Sequence, residues 1–204
     1  MGKENILTLR NFEKNPNLYT WRLQTQLGER IIFRPLLHSD IDKLTSFLKN
    51  LSTETRRLSS FDSYDKVNAT KLCNAINKYD KLRFVLESQS NEIIGLIEFT
   101  LDIPQNVLDR YKNYGLIIDI NHTCRFGPTL SDKYQSQGLG TLIFPYIVKI
   151  AKLLGKKHII LYGGVFADNI RAIRYYEKHG FKIVGRYNDK NLNESIDMIL
   201  DIPN

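Results

Sequence analysis

The sequence predicts a mixed α/β or α+β fold in a single domain. Stretches that alternate between apolar and polar residues, as strands do, are interleaved with stretches whose apolar residues recur at helical spacing. The order of the later strands and helices requires at least one crossover connection. No repeat, low-complexity tract or linker divides the 204 residues, a length that suits one domain with a substantial core.

The first half of the chain is assigned segment by segment. Strands are identified by alternation between turn residues, and helices by apolar residues three or four positions apart behind a capping residue such as Ser39. In order, the predicted elements are strands at 19–26 and 29–34, helices after Ser39, near Ser52 and over 66–76, strands at 82–86 and 92–101, and a polar connection at 103–114 that is helical in part.

The second half of the chain alternates strands with two longer helices. Gly155 and Gly180 end these helices, because glycine readily takes the left-handed conformation that follows a helix C-terminus. In order, the predicted elements are a strand at 116–130 interrupted near Gly127-Pro128, a helix at 138–154, a strand at 158–165, a helix at 169–179, and strands at 181–187 and 195–200.

Composition argues against several classes of protein. Hydrophobic residues make up 42% and charged residues 25%, no apolar run reaches the length of a membrane span, and the N-terminus lacks the apolar stretch of a signal peptide. We therefore expect a cytoplasmic protein without a membrane partner. Two cysteines, Cys73 and Cys124, fit a reducing compartment, and the four histidines lack metal-ligand spacing, so no metal site is expected.

The formal net charge of +7 favours anionic partners such as nucleic acid or a phosphorylated cofactor. The basic residues are dispersed, apart from short clusters such as Arg56-Arg57 and Lys156-Lys157. We therefore expect no nucleic-acid partner, and a nucleic-acid binder is only a third hypothesis. General solubility is the competing explanation of the charge.

Residues 130–141 join a strand to a helix through the polar, glycine-containing loop LSDKYQSQGLGT. A helix N-terminus presents backbone N–H groups and the positive end of the helix dipole, and glycine lets this backbone approach an anion closely. The segment therefore predicts a diphosphate cradle, to which Thr141 adds a hydroxyl and Lys133 a positive charge. The alternative is a tight turn that needs glycine for backbone reasons, and neither a GxGxxG nor a P-loop motif is present.

A second segment, NIRAIRYYEKHGF, predicts a helix with Asn169 as its N-cap and Gly180 as its stop. The ordered pair of segments resembles the GNAT acetyltransferase superfamily. The loop is similar to the Q/R-x-x-G-x-G/A motif of that superfamily through Gln135, Gly138 and Gly140. The helix is similar to its late helix through Asn169, Ala172, Ile173, Tyr176, Glu177, Lys178, Gly180 and Phe181.

The resemblance extends over about residues 30–200. It implies an N-acetyltransferase domain at 30–204, preceded by an extension, residues 1–29, that includes the first hairpin strand. It also implies a mixed, mostly antiparallel central sheet of about seven strands, flanked by helices and splayed where the pantetheine arm and diphosphate of acetyl-CoA bind. The implied cofactor-binding residues are Pro128, Thr129, Leu130, Gln135, Ser136, Gln137, Gly138, Leu139, Gly140, Thr141 and Asn169.

The chemistry implied by the resemblance is transfer of the acetyl group to a primary amine of a small molecule or a protein N-terminus, by direct attack in a ternary complex. The amine must first lose a proton, because an alkylamine has a pKa of about 10.4. Tyr176 is the candidate acid for the leaving thiolate, and Glu98 is the candidate base, with Asp119 and His122 as alternatives. The competing explanation is packing for Tyr176 and a solvated strand position for each candidate base. Cys124 is expected to be a small buried residue rather than a nucleophile.

The chain departs from the family pattern at three positions. Many members carry proline where Asp132 stands, and some ribosomal-protein N-terminal acetylases carry glutamate where Gly164 stands. Pro145 falls inside the helix after the loop and is expected to kink it.

A hypothesis from a different class is a non-catalytic acetyl-CoA-binding module that regulates a partner. Such a module needs the glycine loop but not Tyr176. For an enzyme, the acceptor depends on segments such as 52–68 and 102–113, whose positions the sequence leaves open. The oligomeric state is equally open, with a homodimer as one option.

Overall fold

The computed structural model describes residues 9–76, 81–189 and 191–203. These residues group into two compact units, each formed by two stretches of the chain. The N-terminal unit contains 9–98 and 128–143, and the C-terminal unit contains 99–127 and 144–203.

The described residues contain both helices and strands, with short 3₁₀ turns between some of them. The helices are α1 (Leu9–Lys14), α2 (Ile41–Lys49), α3 (Thr53–Arg57), α4 (Lys66–Asn74), α5 (Gln105–Asn113), α6 (Leu139–Leu153) and α7 (Ile170–Lys178). The strands are β1 (Trp21–Gln24), β2 (Arg30–Pro35), β3 (Lys81–Ser88), β4 (Ile93–Thr100), β5 (Thr123–Leu130), β6 (His158–Leu161), β7 (Val165–Phe166), β8 (Lys182–Asn188) and β9 (Glu194–Asp201). Among these helices, none is long and apolar enough to cross a bilayer.

The strands follow the order β1-β2-β3-β4-β5-β6-β9-β7, with β8 beside β9. β5 and β6 are parallel, whereas β9 runs antiparallel to each of its neighbours, so the expected mixed and mostly antiparallel sheet is confirmed. The described residues form nine strands where about seven were expected. The N-terminal residues add β1 at one edge, and the strand predicted at 158–165 divides into β6 and β7.

In the N-terminal unit, α2 and α4 pack on one face of β3 and β4. Leu44 of α2 and Leu72 of α4 share a hydrophobic cluster with Val85 of β3. Adjacent strand residues point to opposite faces, so Phe84 lies on the other face, where it contacts Phe12 of α1. β3 is therefore covered on both faces, which explains why residues 82–88 are all buried.

In the C-terminal unit, α5 covers part of the sheet. Val107 and Tyr111 pack against Ile160 of β6. Arg110 forms an ion pair with Asp197 of β9, whose side chain is fully buried. A buried carboxylate requires such a partner, because desolvation without one is costly.

The strand predicted at 116–130 is wrong in its first half, because β5 begins only at Thr123. Gly115, with φ +80°, ends the α5 segment. Leu116 and Ile118 then pack against the α5 cluster, whereas Ile117 is 93% exposed. Their apolar character serves contacts with α5 rather than strand pairing.

The cap predicted at Ser39 is also wrong. Ser39 lies within a 3₁₀ turn, His38–Asp40, that precedes α2. Asp40 accepts a hydrogen bond from Leu37 N at 2.9 Å and two from the Arg34 guanidinium, so a charged network organises this turn.

Candidate functional site

The candidate site begins where β5 runs past its parallel neighbour. The ladder between β5 and β6 ends at the pair Phe126↔Leu161, whereas β5 continues to Leu130. Residues 127–130 are each partly exposed. The interruption predicted near Gly127-Pro128 is thus the end of this ladder, while the strand itself continues. Pro128 has no N–H, but because the ladder with β6 has already ended at Phe126, no hydrogen bond to β6 is lost at this position.

After β5 the chain makes a 3₁₀ turn at Asp132–Tyr134 and reaches α6 through a loop with two left-handed residues. Ser136 has φ 60° and Gly138 has φ 78°. A Cβ at Gly138 would meet no atom within 4 Å, so glycine serves the backbone conformation and leaves open space. Leu142 N donates to Gly138 O at 2.9 Å, which starts the hydrogen bonding of α6. The loop therefore brings backbone amides to the positive end of the α6 dipole.

Two glutamine side chains hold this loop together. Gln135 Nε2 donates to Leu130 O at 2.9 Å and to Thr55 Oγ1 at 3.0 Å. Gln137 Nε2 donates to Lys133 O at 2.6 Å. The backbone N–H of Gln135 also donates within the protein, to Asp132 O at 3.2 Å, so contact of Gln135 with a ligand falls to its Oε1.

Asp132 joins the loop to the start of α3, a contact that sequence reasoning missed. Its Oδ2 accepts from Ser52 N at 2.9 Å, and its Oδ1 accepts from Ser52 Oγ at 2.5 Å and Thr55 Oγ1 at 2.7 Å. Burial acts to raise the pKa of the Asp132 carboxyl, but the hydrogen bonds from Ser52 and Thr55 lower it. The sequence signals a helix start near Ser52, but nothing local points to a partner 80 residues away.

α7 carries the predicted acid. Asn169 caps the helix as predicted, with its Oδ1 accepting from Ala172 N at 3.2 Å. Tyr176 is 7% exposed and packs edge-on against Tyr175 and Phe181, with ring centroids 5.2 Å apart in each pair. Burial raises the pKa of Tyr176, so the phenol keeps its proton at neutral pH. Both the packing explanation and the proton-donor explanation thus have support in the surroundings of this side chain.

Glu98, the predicted base, lies on β4 and accepts a hydrogen bond from Arg83 Nε at 2.8 Å. The Arg83 side chain is 5% exposed and the Glu98 side chain 17%. Glu98 therefore belongs to a largely buried ion pair rather than to a solvated strand surface. Sequence reasoning missed Arg83, because a single arginine in an apolar strand does not reveal its partner.

Asp119 and His122, the alternative bases, lie in the turn before β5 and not on a strand, which corrects their predicted position. His122 Nδ1 and Asp119 Oδ2 are 2.7 Å apart, and this hydrogen bond lowers the pKa of Asp119. Strand residues rise about 3.3 Å each, so His122 lies roughly 16 Å along β5 from Gly127. This pair is therefore at the opposite end of β5 from the candidate site.

Gly164 adopts φ +72° in the turn between β6 and β7. A Cβ there would lie 2.9 Å from Ile196 O and 3.2 Å from Tyr187 Oη. The backbone and its neighbours therefore leave no room for the glutamate that some ribosomal-protein acetylases carry at this position.

Cys124 is buried on β5, as expected of a small packing residue. Burial raises the pKa of its thiol to about 12, which keeps it protonated and poorly nucleophilic. Among the described residues, no group of three or more His, Cys, Asp or Glu side chains is placed to hold a metal ion.

Comparison with known proteins extends these observations. The model of the acetyltransferase (GNAT) family matches residues 46–181 of the chain. That segment includes the glycine loop and α7. No curated protein matches the sequence.

Solved structures share the fold at low sequence identity. The GNAT domain of S. lividans PAT is 15% identical with a TM-score of 0.69, covering 91% of this chain and 98% of that chain. An acetyltransferase of the GNAT family from Streptococcus pneumoniae is 20% identical with a TM-score of 0.62, covering 85% and 99%. The ribosomal-protein-S5-alanine acetyltransferase from Vibrio fischeri is 12% identical with a TM-score of 0.69, covering 91% and 97%.

Proposed function

The chain belongs to the acetyltransferase (GNAT) family, and from this premise we propose that it transfers the acetyl group of acetyl-CoA to a primary amine. The acceptor is a small molecule or a protein N-terminus, attacked directly in a ternary complex. The observation that carries the proposal is the loop before α6, where left-handed Ser136 and Gly138 bring backbone amides to a helix N-terminus beside open space.

The residues present suit the chemistry of acetyl-CoA. In the proposal, the diphosphate rests on the amides of residues 136–141, where the α6 dipole favours negative charge. The pantetheine arm follows residues 128–130, whose strand extends past its ladder with β6 and offers backbone groups for strand-like pairing. Asn169 and the exposed Lys133 complete the binding set.

An alkylammonium ion loses one proton before it attacks and a second once the C–N bond has formed, while the leaving thiolate gains one, so one proton is released overall. We assign removal of the first proton to the Glu98 carboxylate, directly or through water, and protonation of the thiolate to the Tyr176 hydroxyl, which burial keeps protonated. A backbone N–H near residues 127–130 stabilises the oxyanion, with Pro128 excluded because it has no N–H. No covalent enzyme intermediate is required.

A pair of glycines with matched backbone tests the proposal. Gly138 and Gly115 have φ +78° and +80°, and a Cβ on either would meet nothing within 4 Å. Valine at either position costs about 1–2 kcal/mol of backbone strain. We expect Gly138→Val to weaken acetyl-CoA binding about tenfold or more and Gly115→Val to leave it unchanged, as measured by titration calorimetry. Equal affinities in the two variants would overturn the proposed cradle.

The second candidate function is a regulatory module that binds acetyl-CoA without turnover. It is favoured by the packing of Tyr176 and the ion pair of Glu98, each of which has a structural explanation. A thiol-release screen against polyamines, aminoglycosides, amino acids and peptides separates the two functions. Binding of acetyl-CoA without thiol release from any acceptor would support the module.

A further inference from the structure

Ser52 and Thr55 at the start of α3 meet Asp132 and Gln135 of the cofactor loop, and we call this group the Asp132 junction. All four residues belong to the N-terminal unit. We propose that Asp132 is a positioning residue that ties α3 and the segment after it to the cofactor loop, so that acetyl-CoA binding fixes the acceptor side of the site. This inference rests on the proposed function and on the expectation from the sequence that segment 52–68 helps to determine the acceptor.

The hydroxyl of Thr55 is the centre of the junction. It donates to Asp132 Oδ1 at 2.7 Å and accepts from Gln135 Nε2 at 3.0 Å. Gln135 in turn donates to Leu130 O at the end of β5. Thr55 is 6% exposed, so this chain of bonds runs through a position largely shielded from water. A displacement of Gln135 in the loop therefore changes the bond between Thr55 and Asp132 directly.

The segment after α3 is folded tightly onto that helix. Ser52 Oγ caps α3 by accepting from Thr55 N at 3.1 Å. The carbonyl of Arg56 accepts from Tyr64 Oη at 2.8 Å and from Ser59 Oγ at 3.1 Å, and the Arg56 guanidinium lies 4.9 Å from the Tyr64 ring centroid. These contacts link residues 52–64 to one another, so a shift of Ser52 and Thr55 is expected to move the whole segment.

The carboxylate at position 132 is what makes this connection. Bonds to an ionised acceptor are stronger than neutral ones, and Asp132 accepts two of them from Ser52, the N-cap of α3, and one from Thr55.

Hydrogen exchange with and without saturating acetyl-CoA tests the inference. We expect acetyl-CoA to slow amide exchange across residues 53–64 of the natural protein. In Thr55→Val we expect acetyl-CoA no longer to slow this exchange, and its affinity to be about fivefold lower. Thr55→Ser is expected to restore both the slowing and the affinity, because serine returns the hydroxyl. Thr45→Val is the matched control, since Thr45 is also buried and donates to Ile41 O at 2.7 Å within α2, away from the junction.

The outcomes distinguish this inference from the proposed function. If acetyl-CoA binds but exchange over 53–64 is unchanged, or is slowed equally in Thr55→Val, the coupling is refuted and the function stands. If acetyl-CoA does not bind the natural protein, both fail. Should Thr55→Val not fold, Asp132→Ala at an exposed position gives the same readout, with loss of slowing expected and retained slowing contradicting the role.

Discussion

Two adjacent tyrosines on α7 offer a controlled comparison at the scale of single residues. Burial raises the pKa of both phenols, so both are proton donors rather than bases near neutral pH. If Tyr176 protonates the leaving thiolate, Tyr176→Phe lowers kcat about a hundredfold with acetyl-CoA affinity unchanged. Thiol release with an acceptor from the screen measures kcat, and titration calorimetry measures affinity.

The control for that experiment is Tyr175→Phe, which removes a hydroxyl from the neighbouring side chain. Tyr175 packs edge-on against Phe144 and His179, and we expect this variant to retain turnover within about twofold. Full turnover in Tyr176→Phe would show that Tyr176 is not the proton donor and serves only in packing.

Replacing Glu98 is expected to change the stability of the protein as well as its turnover. Glu98→Gln leaves the Arg83 guanidinium buried without its counter-charge, so we expect the free energy of unfolding to fall by about 3 kcal/mol. Urea denaturation measures this change. If Glu98 is also the base, kcat of the folded variant falls about a hundredfold.

His122→Ala is the comparison for that variant. His122 is partly exposed in a turn far along β5, and we expect its replacement to leave turnover unchanged and stability nearly so. A larger loss of turnover in His122→Ala than in Glu98→Gln would move the assignment of the base to the Asp119–His122 pair.

At the scale of elements, α6 carries the loop at one end and a proline in its interior. The helix continues through Pro145, as predicted for residues 138–154, although a proline inside a helix is unfavourable. Pro145 is exposed, so Pro145→Ala raises the helix propensity of this position without changing the core. We expect the free energy of unfolding to rise by about 1–3 kcal/mol in urea denaturation. A fall would mean that the packing of α6 depends on the proline.

At the scale of the whole molecule, stability depends on pH through groups whose pKa is lowered in the folded state. Burial, with a smaller effect from Lys178, lowers the pKa of His179 below its usual 6.5. Between these two pKa values the unfolded chain binds a proton that the native protein does not. The contribution of His179 to the free energy of unfolding is therefore complete above pH 6.5 and is lost as pH falls through the folded pKa.

We expect the urea midpoint to decrease between pH 7 and pH 5, and His179→Gln to flatten this part of the profile. A second decrease is expected below about pH 4, because hydrogen bonds lower the pKa values of Asp119 and Asp189. A midpoint that rises between pH 7 and pH 5 would contradict the assigned direction for His179.

Local physics explains what could be predicted. Alternation predicted the β1–β2 hairpin, and capping rules predicted the start of α7 at Asn169 and its end near Gly180. The glycine loop was predicted for the same reason, since a helix start and a left-handed residue such as Gly138 depend only on near neighbours. The ordered motifs then sufficed to indicate the acetyltransferase (GNAT) family.

By itself, therefore, the sequence determined the mixed fold, the glycine loop before α6 and the family. Only the tertiary structure decided which charged groups are paired. Glu98 meets Arg83 across two strands, and Asp132 meets α3 across 80 residues of chain. Strand register and packing set such contacts, because desolvation makes a buried charge depend on a partner that folding brings close from far along the chain.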